Sequence, residues 1–279
     1  MQGFSNIDGR YRVLRLLYTR DLATTYLATD RLDGDREVLL DVAPVGERSA
    51  DRDRHFDELA SVVEMLKALE HPNLVSVTGF FVDGPYYGFV KTYEPGGLLA
   101  DRLDSGRRAD QPSLDERIHY CRDILEGVAA LHGVGLLHRD LAGRSIWLKH
   151  RDGRRAVAQI DHFHRCVPAV GEVRDPQGRL YGRHPAPESL ASSSYSCQSD
   201  VYSAGIILVD LLSKKSGAFD AAEEGLRLDE AAIRRDVEKA YAEALVRATH
   251  RSRLERFQDG LDFLAAFDAM DLQRRLASL

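Results

Sequence analysis

The sequence predicts an α+β fold, with strands concentrated in the first third of the chain and helices in the remainder. Residues 11–17, 24–28, 37–43 and 86–93 are rich in strand-forming residues. A capping box of Ser113 and Glu116 opens a helix that runs to about His132. Further helices are predicted at residues 54–70, 199–213, 229–249 and 259–277. The apolar face of the last helix is predicted to contain Leu261, Leu264, Phe267 and Leu272.

Size and composition narrow the class of protein. The chain has 279 residues, 44% of them hydrophobic, which is enough for one domain with a large core. The net charge of -6 gives no electrostatic reason to expect a nucleic acid or an anionic membrane as partner. No apolar run reaches about 20 residues, and the N-terminus resembles no signal peptide, so we expect a cytoplasmic protein. Three scattered cysteines are expected to be reduced thiols.

The most informative stretch is residues 137–148, LHRDLAGRSIWL. It resembles the catalytic loop of the protein-kinase superfamily, H-R-D-L-x-x-x-N. Seven further segments follow the order of that family: VLLD at 38–41, HPNLV at 71–75, YEPGG at 93–97, DHF at 161–163, APE at 186–188, SDVYSAG at 199–205 and ERF at 255–257. The late segment from Arg256 to Asp259 is similar to bacterial serine/threonine kinase domains.

The resemblance implies a bilobal kinase-like fold made by a single domain. It places a β-rich N-lobe at about residues 1–93, a hinge at about 93–97 and a mainly α-helical C-lobe at about 98–279. Three residues of the C-lobe are implied to have scaffold roles. Glu188 should pair with Arg256, and Asp200 should accept the backbone N–H groups of the catalytic loop.

The positions that bind ATP phosphates in the family carry unsuitable side chains here. The three glycines of the phosphate-binding loop correspond to Tyr18, Arg20 and Ala23, whose side chains prevent close approach of the backbone to a phosphate. Asp41 replaces the lysine that clamps the nucleotide, which reverses the sign of that contact. Val62 stands where the family has the glutamate that pairs with this lysine.

Lys91 falls at the position that in the family lines the back of the nucleotide pocket. Because a buried lysine without a partner is costly, we predict an ion pair between Lys91 and Asp41. The sequence leaves open whether Asp161 also takes part in this pair. In the alternative, Lys91 reaches solvent and Asp41 faces water. Two larger residues, Leu39 and Trp147, stand at the positions that contact the two faces of adenine in the family, and they are predicted to fill its slot.

The resemblance makes His138, Arg139, Asp140, Arg144, Ser145 and Asp161 the relics of the catalytic machinery. Ser145 replaces the metal-binding asparagine, and Asp161 is left as a weak candidate for a metal ligand. His162 occupies the place of the D-F-G phenylalanine, where we expect it to stack with Leu66, Val77 and His138. Phe163 replaces the glycine of that motif.

The sequence therefore predicts a pseudokinase, a non-catalytic interaction or allosteric signalling module with no catalytic residue expected to be active. No cofactor and no metal are expected, and the predicted partner is another protein, such as a kinase or a signalling protein. The alternative is an atypical ATP-dependent phosphotransferase or nucleotidyltransferase. It would use Asp140, Arg144 and Asp161 with ATP and Mg2+, and Lys91 or Arg20 would stand in for the missing lysine.

Overall fold

The computed structural model describes residues 5–20, 23–45, 52–103, 111–151, 153–170, 173–174, 184–213 and 230–277. The chain forms two compact units, one made by the chain up to His71 together with residues 75–95, the other by residues 72–74 and 96–279. The segment between the D-H-F and A-P-E motifs is described only in part, because residues 171–172 and 175–183 lie outside these ranges.

The N-terminal unit is an antiparallel sheet of six strands with one helix. Its elements are β1 (Asn6–Ile7), β2 (Tyr11–Thr19), β3 (Thr24–Asp30), β4 (Arg36–Pro44), α1 (Arg52–Ala68), β5 (Val77–Asp83) and β6 (Tyr86–Thr92). The strand order is β1-β2-β3-β4-β6-β5. Alternate side chains of β4 point to opposite faces, so that Val38, Leu40 and Val42 enter a buried core with Val90 of β6. Leu39 and Asp41 therefore lie on the other face.

The C-terminal unit is mainly helical. Its elements are β7 (Gly96–Leu98), α2 (Leu99–Leu103), α3 (Leu114–Gly133), β8 (Leu136–Leu137), β9 (Ile146–Arg151), β10 (Arg154–Ile160), β11 (Val167–Pro168), β12 (Val173–Arg174), α4 (Pro187–Ser192), β13 (Ser194–Tyr195), α5 (Cys197–Leu212), α6 (Glu230–Asp236), α7 (Ala242–Ala248) and α8 (Gly260–Ala277). The predicted capping box is confirmed, since Glu116 N–H donates to Ser113 Oγ at 3.2 Å and Ser113 N–H donates to Glu116 Oε2 at 2.8 Å.

Two predictions about helices are corrected by the structure. The single helix predicted for residues 229–249 is two helices, because Val237 leaves α6 to make a bridge with Ser213 and Glu238 N–H donates to the carbonyl oxygen of Leu212. The apolar face predicted for α8 is confirmed at Phe267, which is buried, and wrong at Leu261 and Leu272, which are 64% and 59% exposed. The helix also buries Phe263, which was not predicted.

The scaffold contacts implied by the resemblance are present. Asp200 accepts the N–H of His138 at 2.7 Å and that of Arg139 at 2.9 Å. Burial alone would raise the pKa of Asp200, but the hydrogen bond and charge of His132 outweigh it, and the pKa is lowered. Arg256 is completely buried and forms a two-pronged pair with Glu188, with N–O distances of 2.8 and 2.9 Å.

Replacing Arg256 by methionine should lower the free energy of unfolding by about 3–5 kcal/mol, because Glu188 and three backbone carbonyl groups would lose a buried donor. Urea unfolding followed by circular dichroism measures the change. The matched control is Arg122→Met, which breaks a pair with Asp268 in which both side chains are more than 40% exposed and should cost less than about 1 kcal/mol. Equal losses in the two variants would contradict the assignment of Arg256 as a buried anchor.

A second prediction concerns Asp123 of α3, which accepts the N–H of Ala158 at 3.0 Å. Burial raises the pKa of Asp123 from 3.8 to about 6. The carboxyl group of Asp123 therefore binds its proton more tightly in the folded chain than in the unfolded chain. The protonated group contributes fully to stability below about pH 4, and this contribution is lost as the pH rises through about 6. Asp123→Asn should therefore remove part of the pH dependence of the free energy of unfolding between pH 4 and 6. If the free energies of unfolding of variant and wild type differed by a constant amount over this pH range, the prediction would be contradicted.

Candidate functional site

In the N-terminal unit, the ion pair predicted between Lys91 and Asp41 is present. Lys91 Nζ lies 2.6 Å from Asp41 Oδ2, and the two side chains are 0% and 2% exposed. The register of the sheet places Asp41 opposite Thr25 of β3, and the hydroxyl of Thr25 donates to Asp41 Oδ1. The alternative, in which both charged groups reach solvent, is wrong. The carboxylate at the position of the family's lysine is thus held between a buried ammonium group and a hydroxyl.

Leu39 occupies the same face of β4 as this pair. It is 2% exposed and stands opposite Lys91 in the register between β4 and β6. A leucine at this position adds bulk beside the ion pair.

The turn at the end of β2 holds the three residues that replace the glycines. Tyr18 pairs with Thr25 across the strands, and the guanidinium carbon of Arg20 lies 4.7 Å from the centroid of the Tyr18 ring. Arg20 N–H donates to the carbonyl oxygen of Ala23 at 2.8 Å, and Ala23 is buried. A loop that cradles phosphate needs backbone N–H groups directed at the ligand. At Arg20 that group is already used to close the turn.

In the C-terminal unit, the catalytic-loop aspartate is engaged by a histidine. Asp140 Oδ2 lies 3.2 Å from His162 Nε2, and the two side chains are 16% and 7% exposed. His162 has a positive φ of 75°, which directs the chain into the following short helix. Sequence reasoning missed this contact. The expected stacking of His162 on His138 is also wrong, because Phe163 takes that place, with its ring centroid 5.9 Å from that of His138.

His138 and Arg139, two of the predicted relics, contact backbone groups in and near the catalytic loop. The N–H of Asp140 donates to His138 Nδ1 at 3.2 Å, and His138 Nε2 lies 2.9 Å from the carbonyl oxygen of Asp161. Burial lowers the pKa of His138, so that the neutral imidazole with a proton on Nε2 fits both contacts. Arg139 Nε donates to the carbonyl oxygen of Arg165 at 2.6 Å, and its guanidinium group lies over the Tyr195 ring.

The two positions that hold metal in the family are turned towards their own backbone. The hydroxyl of Ser145 accepts the N–H of Ala142 at 2.9 Å and donates to the carbonyl oxygen of the same residue at 2.8 Å. Asp161 is 1% exposed and accepts the N–H of His162 at 2.7 Å. Over the described ranges, no group of three or more His, Cys, Asp and Glu residues is arranged to hold a metal ion. Arg144 is exposed.

Trp147 is packed on the backbone of β7. It is 7% exposed, and β9 pairs with β7 so that Trp147 lies opposite Leu98. A Cβ atom added to Gly96 would lie 2.7 Å from Trp147 Nε1, so the indole fits only because this residue is glycine. The bulk predicted at this position is therefore a fixed part of the C-terminal unit.

Comparison with known proteins decides the family. A family model described as protein tyrosine and serine/threonine kinase matches residues 33–237. The chain belongs to the protein kinase family. The kinase domain of PknI from Mycobacterium tuberculosis has the same fold, with a TM-score of 0.76, 18% identity and coverage of 97% of this chain and 99% of that one.

Two curated relatives support the same assignment to the kinase family. The chain is 30% identical over 225 residues to calcium-dependent protein kinase 12 of Oryza sativa, covering 79% of this chain and 40% of the relative. It is 32% identical over 162 residues to tyrosine-protein kinase csk-1 of Caenorhabditis elegans, covering 57% of this chain and 29% of the relative. The chain thus spans less than half of the length of these two relatives. No helix in the described part of this kinase-like chain is long and apolar enough to cross a membrane.

The ion pair of the N-terminal unit gives a prediction for stability. Asp41→Asn and Lys91→Met should each lower the free energy of unfolding by about 3–5 kcal/mol, because each removes the opposite charge 2.6 Å from a buried charged group. The double variant should cost less than the sum of the two, and chemical denaturation of all four proteins measures the coupling.

The control for this cycle is Lys67→Met, which removes an exposed pair with Glu64 and should cost less than about 1 kcal/mol. Additive losses at Asp41 and Lys91 would show that the two charges do not depend on each other.

Proposed function

We propose that this kinase-family chain is a pseudokinase that works as a protein-interaction or allosteric module without phosphoryl transfer. The observation that carries the proposal is the buried pair of Asp41 and Lys91. In the family a lysine at the position of Asp41 neutralises the ATP phosphates. An anionic side chain there, already bonded to Lys91 and Thr25, offers phosphate no positive charge.

The catalytic loop supports the same proposal independently. A kinase needs its aspartate free to accept the proton of a substrate hydroxyl. Here the carboxylate of Asp140 already has His162 at 3.2 Å, and the hydroxyl of Ser145 is bonded within its own turn. In each unit, the side chains at the family's catalytic positions are therefore engaged by other groups of the protein, which supports the proposal.

The pattern of losses indicates a retained scaffold. Glu188, Arg256 and Asp200 keep contacts that stabilise the C-terminal unit, whereas the positions for phosphate, metal and adenine have changed. A gene without a function would lose both sets alike. We infer that the fold is kept for binding another protein, such as a kinase or a signalling protein, in the cytoplasm.

One observation favours the alternative of an atypical ATP-dependent phosphotransferase or nucleotidyltransferase. The three guanidinium nitrogens of Arg20 are buried and have no hydrogen-bond acceptor within the described part of the chain. An anion such as a phosphate would satisfy them. Under this alternative Arg20 would replace the missing lysine, Asp140 and Arg144 would act on the transferred group, and Asp161 would hold Mg2+.

Thermal unfolding with ATP and Mg2+ separates the two proposals. A ligand at about 100 times its dissociation constant adds about 2.7 kcal/mol of stability, which a melting curve detects easily. We expect no shift of the melting temperature with millimolar MgATP and no transfer of labelled phosphate to the chain or to a general protein substrate. An active bacterial kinase domain serves as the positive control.

A reproducible upward shift that disappears in Asp161→Ala and Arg20→Ala would overturn the pseudokinase proposal in favour of the alternative. Arg12→Ala, at an exposed position of β2, the strand that ends just before Arg20, is the matched control for Arg20→Ala.

A further inference from the structure

The side chain of Arg20, in the N-terminal unit, is oriented against the usual preference of arginine. Arg20 keeps part of its surface exposed, yet its Nε, Nη1 and Nη2 atoms are all buried. The aliphatic stem of a surface arginine usually packs on apolar groups while the charged end stays in water. In Arg20 the charged end is the enclosed part. A guanidinium group in this orientation is directed at a partner other than bulk water.

The hydrogen-bonding capacity of this guanidinium group is unused. None of its three nitrogens has an acceptor within the described part of the chain. The group carries five N–H donors, and all of them are therefore uncommitted. The Tyr18 ring, with its centroid 4.7 Å from the guanidinium carbon, offsets part of the cost of burying the cation. Because a buried charge without an acceptor is unfavourable, the unused donors indicate a missing anionic partner.

The acidic residue in the same row of the sheet is not that partner. Tyr18 stands opposite Thr25, and Thr25 stands opposite Asp41, so that the three residues form one row across β2, β3 and β4. Asp41 Oδ1 accepts the hydroxyl of Thr25, and Asp41 Oδ2 lies 2.6 Å from Lys91 Nζ. Because Lys91 already neutralises Asp41, the charge of Arg20 is left unbalanced beside this row.

We propose that Arg20 anchors a binding site for a phosphate group. A tetrahedral oxyanion accepts several hydrogen bonds and supplies the missing negative charge, and the planar fork of arginine matches it with two parallel N–H···O contacts. A carboxylate has only two oxygens and a single charge, so five free donors favour phosphate over acetate. The site is made by a side chain at a position where the family has glycine. The inference rests on the proposed function in one respect, namely that MgATP does not supply this phosphate.

The backbone of Arg20 fixes the place of the site. The N–H of Arg20 donates to the carbonyl oxygen of Ala23 at 2.8 Å, and Ala23 is buried. The three guanidinium nitrogens are closed to solvent, so we expect the anion to displace the Tyr18 ring as it binds. Because Arg20 is partly exposed, the guanidinium group lies close below the surface, and this displacement is local.

Titration with inorganic phosphate at constant ionic strength, balanced with chloride, tests the site. We expect the melting temperature of the wild-type chain to rise with phosphate concentration. The Nε–H signal of Arg20 in proton–nitrogen correlation spectra should shift with the same dissociation constant. Arg20→Met should raise this constant about tenfold or more, and acetate should bind the wild type about tenfold more weakly than phosphate does. Arg12→Met, at an exposed position of β2, should leave phosphate binding unchanged.

Stability without phosphate provides a second measurement on the same variant. Arg20→Met removes a buried charge that has no acceptor, so it should not lower the melting temperature in phosphate-free buffer. A lower melting temperature of this variant in phosphate-free buffer would overturn the proposal, because Arg20 would then have a stabilising partner within the chain. Equal responses of Arg20→Met and wild type to phosphate, or equal responses of the wild type to phosphate and acetate, would also overturn it.

Asp161→Ala and MgATP separate this inference from the proposed function. A phosphate response that is kept in Asp161→Ala, together with no response to MgATP, supports both the Arg20 site and the pseudokinase proposal. A response to MgATP that is lost in both Asp161→Ala and Arg20→Met overturns the pseudokinase proposal and assigns the phosphate to a nucleotide. No response of the wild type to phosphate or to MgATP overturns the Arg20 site and leaves the pseudokinase proposal standing.

Discussion

A lysine with no exposed surface must have an anion beside it, and in this chain the anion is Asp41. Removing an ammonium and a carboxylate from water costs several kcal/mol each, and only a short, hydrogen-bonded contact compensates for that cost. The distance of 2.6 Å and the additional donor from Thr25 meet this requirement. Once the pair is in place, neither charge can turn to a ligand without breaking a buried ion pair. The chemistry of the N-terminal unit follows from this single constraint.

The C-terminal unit follows a related rule, in which buried polar groups satisfy one another. Asp200 fixes two N–H groups of the catalytic loop, and Arg256 and Glu188 join α4 to the segment before α8. These contacts serve the packing of the unit and need no ligand. Asp140 and His162 are satisfied in the same way, by each other. Internal pairing of this kind is what the proposed scaffold role of the catalytic loop requires.

The family and the order of the elements could be predicted from the sequence, because they depend on local patterns. The main ion pairs could be predicted because each buried charge had one plausible partner. Lys91 and Arg256 are examples, since each is a charged residue that the fold buries. The sequence did not predict the contact between His162 and Asp140, because an imidazole can either stack on a ring or pair with a carboxylate. The positive φ of His162, which accompanies this contact, is not evident from the residue type. The buried face of α8 was predicted correctly only at Phe267. The leucines outnumber the phenylalanines in this helix, but Phe263 and Phe267 are the side chains that stack on the rings of Phe257 and Tyr241.

The buried pair also constrains how a phosphate-binding lysine could be introduced at position 41. A lysine at position 41 would lie beside Lys91, so that two ammonium groups would be buried without the carboxylate of Asp41. Burial of two like charges is unfavourable. Replacing Lys91 alone would leave Asp41 buried without its cation. A return to a phosphate-binding lysine therefore needs both substitutions together, while Ser145 and Trp147 would still differ from the family on the other unit. Each single step would lower stability before any gain in phosphate binding, so the buried pair opposes the stepwise introduction of a lysine at position 41.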